Sequence, residues 1–226
     1  TQIYVGDEAE PTSSNLTLFR GGVVYDFLAT PTQIVVFKPS PSGGGRFILL
    51  DPSRQLRSEI RTEAIEGFLT ELQAWAASQE DPLLQFAAHP EFREHFEPSR
   101  GSLRLDSDWM QYDLLTTAAR DQETMAAYRE FSDWYGRLNS VTHVGSTPPF
   151  PRLAVNAALC RHARLPQRVE LVIPARRPFR TKDLVMRAEH QISWRLSRQD
   201  QQRIDEVDRQ LIQYSKVPYE EFRQSD

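Results

Sequence analysis

Residues 16–60 read LTLFRGGVVYDFLATPTQIVVFKPSPSGGGRFILLDPSRQLRSEI. Within them, TLFRGGVVYDFL, QIVVFKP, RFILLDP and LRSEI are four short pieces rich in β-branched and aromatic side chains. Each is bounded by Gly, Pro, Ser or Asp, the pattern of antiparallel strands joined by brief turns. Gly21-Gly22 and Pro31 punctuate the meander, and residues 39–45, PSPSGGG, form its one long loop. A phosphate-cradling loop would need a helix after it and usually a Lys; here RFILLD, a strand, follows. A meander with an apolar side must be covered, so the fold class expected is α+β, a curved, half-barrel-like antiparallel sheet under amphipathic helices.

The covering elements can be read outward from that stretch. From Thr62, apolar Ile65, Phe68, Leu69, Leu72, Trp75 and Ala76 recur at helical spacing, predicting a packed helix over 62–78. Asp81-Pro82 restarts a helix that runs to Pro90, and Phe92 and Phe96 fall in a short turn. A second hairpin is predicted from SLRLD and WMQYDLL, and a long helix, the second large covering element, over 121–139 with Met125, Tyr128, Phe131, Tyr135 and Leu138 on one face. After the proline-rich linker 145–151 come a helix from Arg152 to about His162 and the strand RVELVI. Leu184, Met186, Ala188, His190, Ile192, Trp194 and Leu196 alternate with polar residues and predict one long half-buried strand, followed by a helix over 197–214 that a Ser197/Asp200 capping box opens. Residues 1–14 hold few apolar side chains and are expected as a flexible tail, leaving 15–226 as a single domain.

Composition bounds the function. A net charge of −4 gives no reason to expect nucleic acid as the partner, and no apolar run approaches the roughly 20 residues of a transmembrane helix. The single Cys160 excludes an internal disulfide and a multi-cysteine zinc site. A chain that opens on Thr1 without an initiator Met is expected to have lost a leading segment, a signal peptide being the informative case.

Candidate chemistry is sparse. His89 and His95 are separated by Pro90 and lack the HExxH context, so neither a metal site nor a cofactor is expected. Cys160 and His162 stand two residues apart on a helix and cannot pair; Cys160 reads as a small buried apolar residue. His190, polar on an apolar strand face, reads as a hydrogen-bonded core residue or the lining of a cavity. Residues 161–187 hold eight basic side chains against Glu170 and Asp183, and Arg176, Arg177, Arg180 and Lys182 within them could meet an anionic membrane surface. The competing reading is a solvated Arg-rich loop.

GGVVYDFL and RFILLDPSRQLRSEI are similar to the strand pairs of the outer-membrane lipoprotein carrier and related lipoprotein-like folds, and LPQRVEL (165–171) resembles the step that opens a late strand there. The chain also looks like uncharacterised exported bacterial proteins. The resemblance covers about a third of the chain, and the C-terminal helix and Arg-rich hairpin depart from it. It implies an extracytoplasmic (periplasmic or secreted), non-enzymatic binder or carrier of an apolar small molecule, lipid or acyl chain. The ligand-binding residues expected are Tyr25, Phe27, Tyr112, Met186, His190 and Trp194, large side chains that could hold helices off a curved sheet and leave a pocket instead of a filled core. No catalytic residue is assigned. An interaction module of the cell envelope, or a hydrolase without a recognisable motif, stays open.

Overall fold

The computed structural model describes residues 1–143, 147–175 and 182–224. In chain order the elements are β1 (Gln2–Val5), β2 (Ser13–Arg20), β3 (Val23–Leu28), β4 (Gln33–Pro39), β5 (Gly45–Asp51), β6 (Leu56–Arg61), α1 (Thr62–Ser78), α2 (Pro82–Ala88), β7 (Arg93–Glu97), β8 (Ser102–Asp106), β9 (Gln111–Ala118), α3 (Gln122–Thr142), α4 (Phe150–Arg161), β10 (Arg164–Ile173), β11 (Leu184–Glu189), α5 (Arg198–Gln213), β12 (Ser215–Lys216) and α6 (Tyr219–Arg223). The protein is thus mixed α+β with mostly antiparallel strands. Two compact units are built from interleaved segments. One comprises Thr1, 13–64 and 192–226; the other comprises 2–12 and 65–191.

In the first unit the strand order is β12-β6-β5-β4-β3-β2, antiparallel except for the short parallel pair β12–β6. One sheet face gathers Leu18, Tyr25, Ile34, Val36, Ile48 and Leu50, against which α5 sets Ile204 and Val207. The alternate residues Val35, Phe37, Phe47 and Leu49 are buried as well, and the rings of Phe37 and Phe47 lie 4.8 Å apart. Strands buried on both faces carry continuous apolar runs, which is why IVVF and FILL do not alternate. The loop after β4 closes on Thr62: the Gly45 N–H donates to Thr62 Oγ1 at 2.8 Å, and Oγ1 donates to the Gly45 carbonyl at 3.0 Å. Gly45 sits at φ +151°, where a Cβ would collide with the Lys38 carbonyl, so only glycine fits. Arg20 ties β2 to α5 by bonds of 2.6 Å to Asp205 and 2.7 Å to Asp208, and the Tyr25 hydroxyl donates to Asp208 at 3.0 Å.

The second unit orders its strands β1-β11-β10-β9-β8-β7, all antiparallel. Leu103, Leu105, Tyr112, Leu114 and Val169 form its core with Val155, Ala158 and Leu159 of α4, and Leu83 and Phe86 of α2 pack beside them. Phe86, Phe92 and Tyr112 make a chain of edge-on ring contacts at 5.3 and 5.9 Å.

Four features differ from the sequence expectation. Residues 2–5, expected in a tail, form a strand paired with β11 over Gln2↔Glu189 to Val5↔Met186, with Tyr4 in the core. The turn expected around Phe92 and Phe96 contains β7, whose exposed Arg93, Glu94 and His95 suit an edge strand. The long strand predicted through Leu196 stops at Glu189: the ladder with β10 ends at the pair Arg168↔Glu189, and the His190 N–H to Gln167 carbonyl bond at 2.7 Å closes it just where β10 turns irregular in its pairing with β9, between Pro166 and Arg168. In α1, Ile65, Leu69 and Ala76 are buried, but Phe68 and Trp75 lie on the edge of that face, 40% and 50% exposed. Among the described residues no helix is long and apolar enough to cross a membrane.

Candidate functional site

A concavity of the second unit follows α3. Asp121 starts this helix: its Oδ1 accepts the Thr124 N–H at 2.7 Å, a bond that holds the Asp121 carboxyl below its usual range. Met125, Phe131, Trp134 and Leu138 are buried along α3. A neighbouring stripe, Gln122, Ala126, Arg129, Glu130, Asp133 and Arg137, steps by three and four residues and therefore lies on one side of the helix. Together with Met125 and Trp134 this stripe forms one wall of a cleft of about 750 Å³; Ala119, Cys160 and Ala163 form the other.

Its charges differ in how they are held. The Arg129 Nη1 donates to Cys160 Sγ at 3.5 Å, and its Nε lies 3.5 Å from Asp133 Oδ2. Asp133 is fixed in turn by the buried Asn156, whose Nδ2 donates to Oδ1 at 2.8 Å. Arg137 places its guanidinium 4.6 Å over the Trp134 ring, a cation–π contact, and has no carboxylate partner among the described residues. Glu130 likewise has no ion pair among them, and burial pushes its carboxyl up. The cleft therefore offers apolar surface at Ala119, Ala126 and Ala163 beside two charges that have no ion-pair partner among the described residues.

A smaller cleft of about 360 Å³ lies in the first unit, where Phe27 and Ile34 face Arg203, Glu206 and Val207 of α5. Elsewhere in the second unit, Glu94 receives hydrogen bonds from Arg161 and, at 2.7 Å, from His162 Nε2, while the His162 ring stacks on Phe96 at 4.1 Å. Burial raises the Glu94 carboxyl, but the bonds from Arg161 and His162 outweigh it and hold the group low. This array supplies an acid, a base and a cation, which are the contents of a structural ion-pair cluster. Among the described residues no group of three or more His, Cys, Asp and Glu side chains is arranged to hold a metal ion.

The residues expected to bind a ligand divide between the two units. Tyr25 is buried on β3, Phe27 lines the smaller cleft, and Trp194 is 45% exposed beyond β11. In the second unit Tyr112 is buried, Met186 is 36% exposed and His190 is half-buried just past the end of β11. None of the six lines the larger cleft. Burial drives the Tyr25 and Tyr112 hydroxyls up to about 12, so both stay neutral. Lys182 is exposed, whereas Arg176, Arg177 and Arg180 lie outside the described residues. Cys160, expected to be buried as an apolar residue, is partly exposed on the cleft wall. The stripe on α3 is visible in the sequence, but its charged members read as an ordinary solvent face; only the second wall turns it into a site.

Comparisons of the chain with protein-family models, curated proteins and solved structures give no match.

Proposed function

We propose that the protein is a non-enzymatic binding or carrier protein, working outside the cytoplasm, that holds a small molecule with an apolar body in the cleft along α3. The observation that carries this reading is the cleft itself. A volume of about 750 Å³ falls in the range of small-molecule sites, and Ala119, Ala126 and Ala163 offer apolar surface that a ligand can cover. The resemblance of residues 21–28 and 46–60 to the lipoprotein carrier supports both an apolar cargo and the location. It also carries the expectation of a half-barrel-like curvature. Any meeting with an anionic membrane surface would fall to the Arg-rich segment that includes Lys182.

Native mass spectrometry of gently purified protein, followed by organic extraction, tests the proposal. An apolar small molecule should accompany the protein and be lost from Ala126→Trp, which fills the cleft from an exposed helix position without entering the core. Retention of the same molecule by the correctly folded variant would place binding elsewhere. A wild-type protein that carries nothing and takes up no apolar probe would rule out the carrier reading.

A further inference from the structure

Helix α1 buries Ile65, Leu69 and Ala76, yet it keeps two large rings in solvent: Phe68 is 40% exposed and Trp75 50%. They stand seven residues apart, two turns or about 10 Å along the axis, and so share one side of the helix. Leu72, half-buried, comes four residues after Phe68 and three before Trp75 and completes an apolar ridge at the edge of the buried face. Glu71 has the converse spacing, three and four, and borders the same ridge on its solvent side. All four residues belong to the second unit.

Charge around the ridge has one sign. Residues 62–92 contain Glu63, Glu66, Glu71, Glu80, Asp81 and Glu91 and no Lys or Arg, a net of −6 in a chain of −4, which leaves +2 for everything else. Among the described residues, Glu63, Glu66, Glu71 and Glu80 form no ion pair. Glu80 stands two residues beyond the end of α1, where the helix dipole is itself negative and the last turn holds no basic residue. A cation is therefore wanted at the Trp75 end of the ridge, and the chain supplies none there from α1.

We infer that this ridge docks a basic amphipathic helix of a partner protein. The partner's apolar stripe packs on Phe68, Leu72 and Trp75, and Lys or Arg beside that stripe meet Glu71 and Glu80. Glu63 and Glu66 lie round the helix from the ridge and add only to the long-range field that draws a cationic partner in. A second copy of the chain fits poorly, because laying the ridge on itself brings two acidic flanks together, and the same acids repel an anionic bilayer. The ridge shares no residue with the lining of the cleft along α3, so it stands apart from the binding function proposed for that cleft.

Three fluorescein-labelled model helices of about 18 residues, one of Leu and Lys, one of Leu and Glu and one of Gln and Lys, test the inference by fluorescence anisotropy. The Leu/Lys helix should bind at least about tenfold tighter than either of the others, since only it offers both the stripe and the charge. Trp75→Ala and Phe68→Ala, both at exposed positions, should each weaken it about tenfold. The pair Glu71→Gln with Glu80→Gln should flatten its salt dependence. Ile212→Ala, which removes an exposed apolar side chain from α5, should leave binding unchanged. Leu/Lys binding that is absent, that the Leu/Glu helix matches, or that survives Trp75→Ala would overturn the inference. So would sedimentation showing self-association, or phosphatidylcholine vesicles showing binding, that Trp75→Ala abolishes: the face would then be a contact between copies or with a bilayer.

Discussion

At the scale of single residues, His190 makes a measurable link between burial and stability. Burial, with the Arg152 charge adding to it, pushes this imidazole down to about 4 from an ordinary 6.5. A base whose folded value lies below its unfolded one is held neutral by the fold, so between those two values the unfolded chain binds more protons. The stabilisation is complete above about 6.5 and is lost as pH falls toward 4. For a half-buried group the loss is on the order of 2 kcal/mol. Urea unfolding at pH 7 and pH 4.5 should show that loss in the wild type and a shallower one in His190→Gln; equal losses would mean that another group titrates. The sequence placed His190 on an apolar strand face as a hydrogen-bonded core residue or a cavity lining, whereas it stands half-buried one residue past the end of β11. The sequence could not show that the strand would stop at Glu189, because the last ladder pair, Arg168↔Glu189, is set by β10.

At the scale of elements, α5 is where sequence and structure agree most closely. Ser197 Oγ accepts the Asp200 N–H at 3.1 Å while Asp200 Oδ2 accepts the Ser197 N–H at 2.9 Å, so the helix begins with the box its sequence announces. Ser197→Ala should cost about 1 kcal/mol. Ile204, fully buried against the β2–β5 face, should cost about 2–4 kcal/mol as Ala, whereas Ile212, 85% exposed, should change stability by less than about 0.5. Thermal denaturation of the three variants checks the ranking, and an Ile212→Ala loss comparable to that of Ile204→Ala would mean that α5 is docked by a different face. Helices were legible because a 3.6-residue period survives in any one segment. Edge strands were not: β7 carries Arg93-Glu94-His95, the charged sequence that an unpaired edge tolerates and a loop shares. The cleft was hidden for a related reason. Arg129, Glu130, Asp133 and Arg137 look solvated until Cys160 and Ala163, more than twenty residues later in the chain, stand opposite them.

At the scale of the whole molecule, each unit joins segments far apart in the chain, and nothing in the composition marks the crossings; the one at 64/65 falls inside α1. The second unit depends on residues 2–5 to finish its sheet. Deleting residues 2–12 removes the β1 side of β11, and the Gly6 N–H to Val185 carbonyl bond of 2.8 Å with it. Hydrogen exchange of peptides spanning 184–189 should accelerate by an order of magnitude or more in that deletion; unchanged exchange would show that the pairing contributes little. The first unit has the complementary problem in time. Its meander is finished at Arg61, yet the helix that seats Ile204 and Val207 on Leu18, Tyr25, Ile34, Val36, Ile48 and Leu50 is encoded about 140 residues later. At the usual pace of translation, a nascent chain leaves that apolar face bare for roughly 7–30 s after the last strand clears the ribosome, long enough for holding chaperones or neighbouring chains to reach it first.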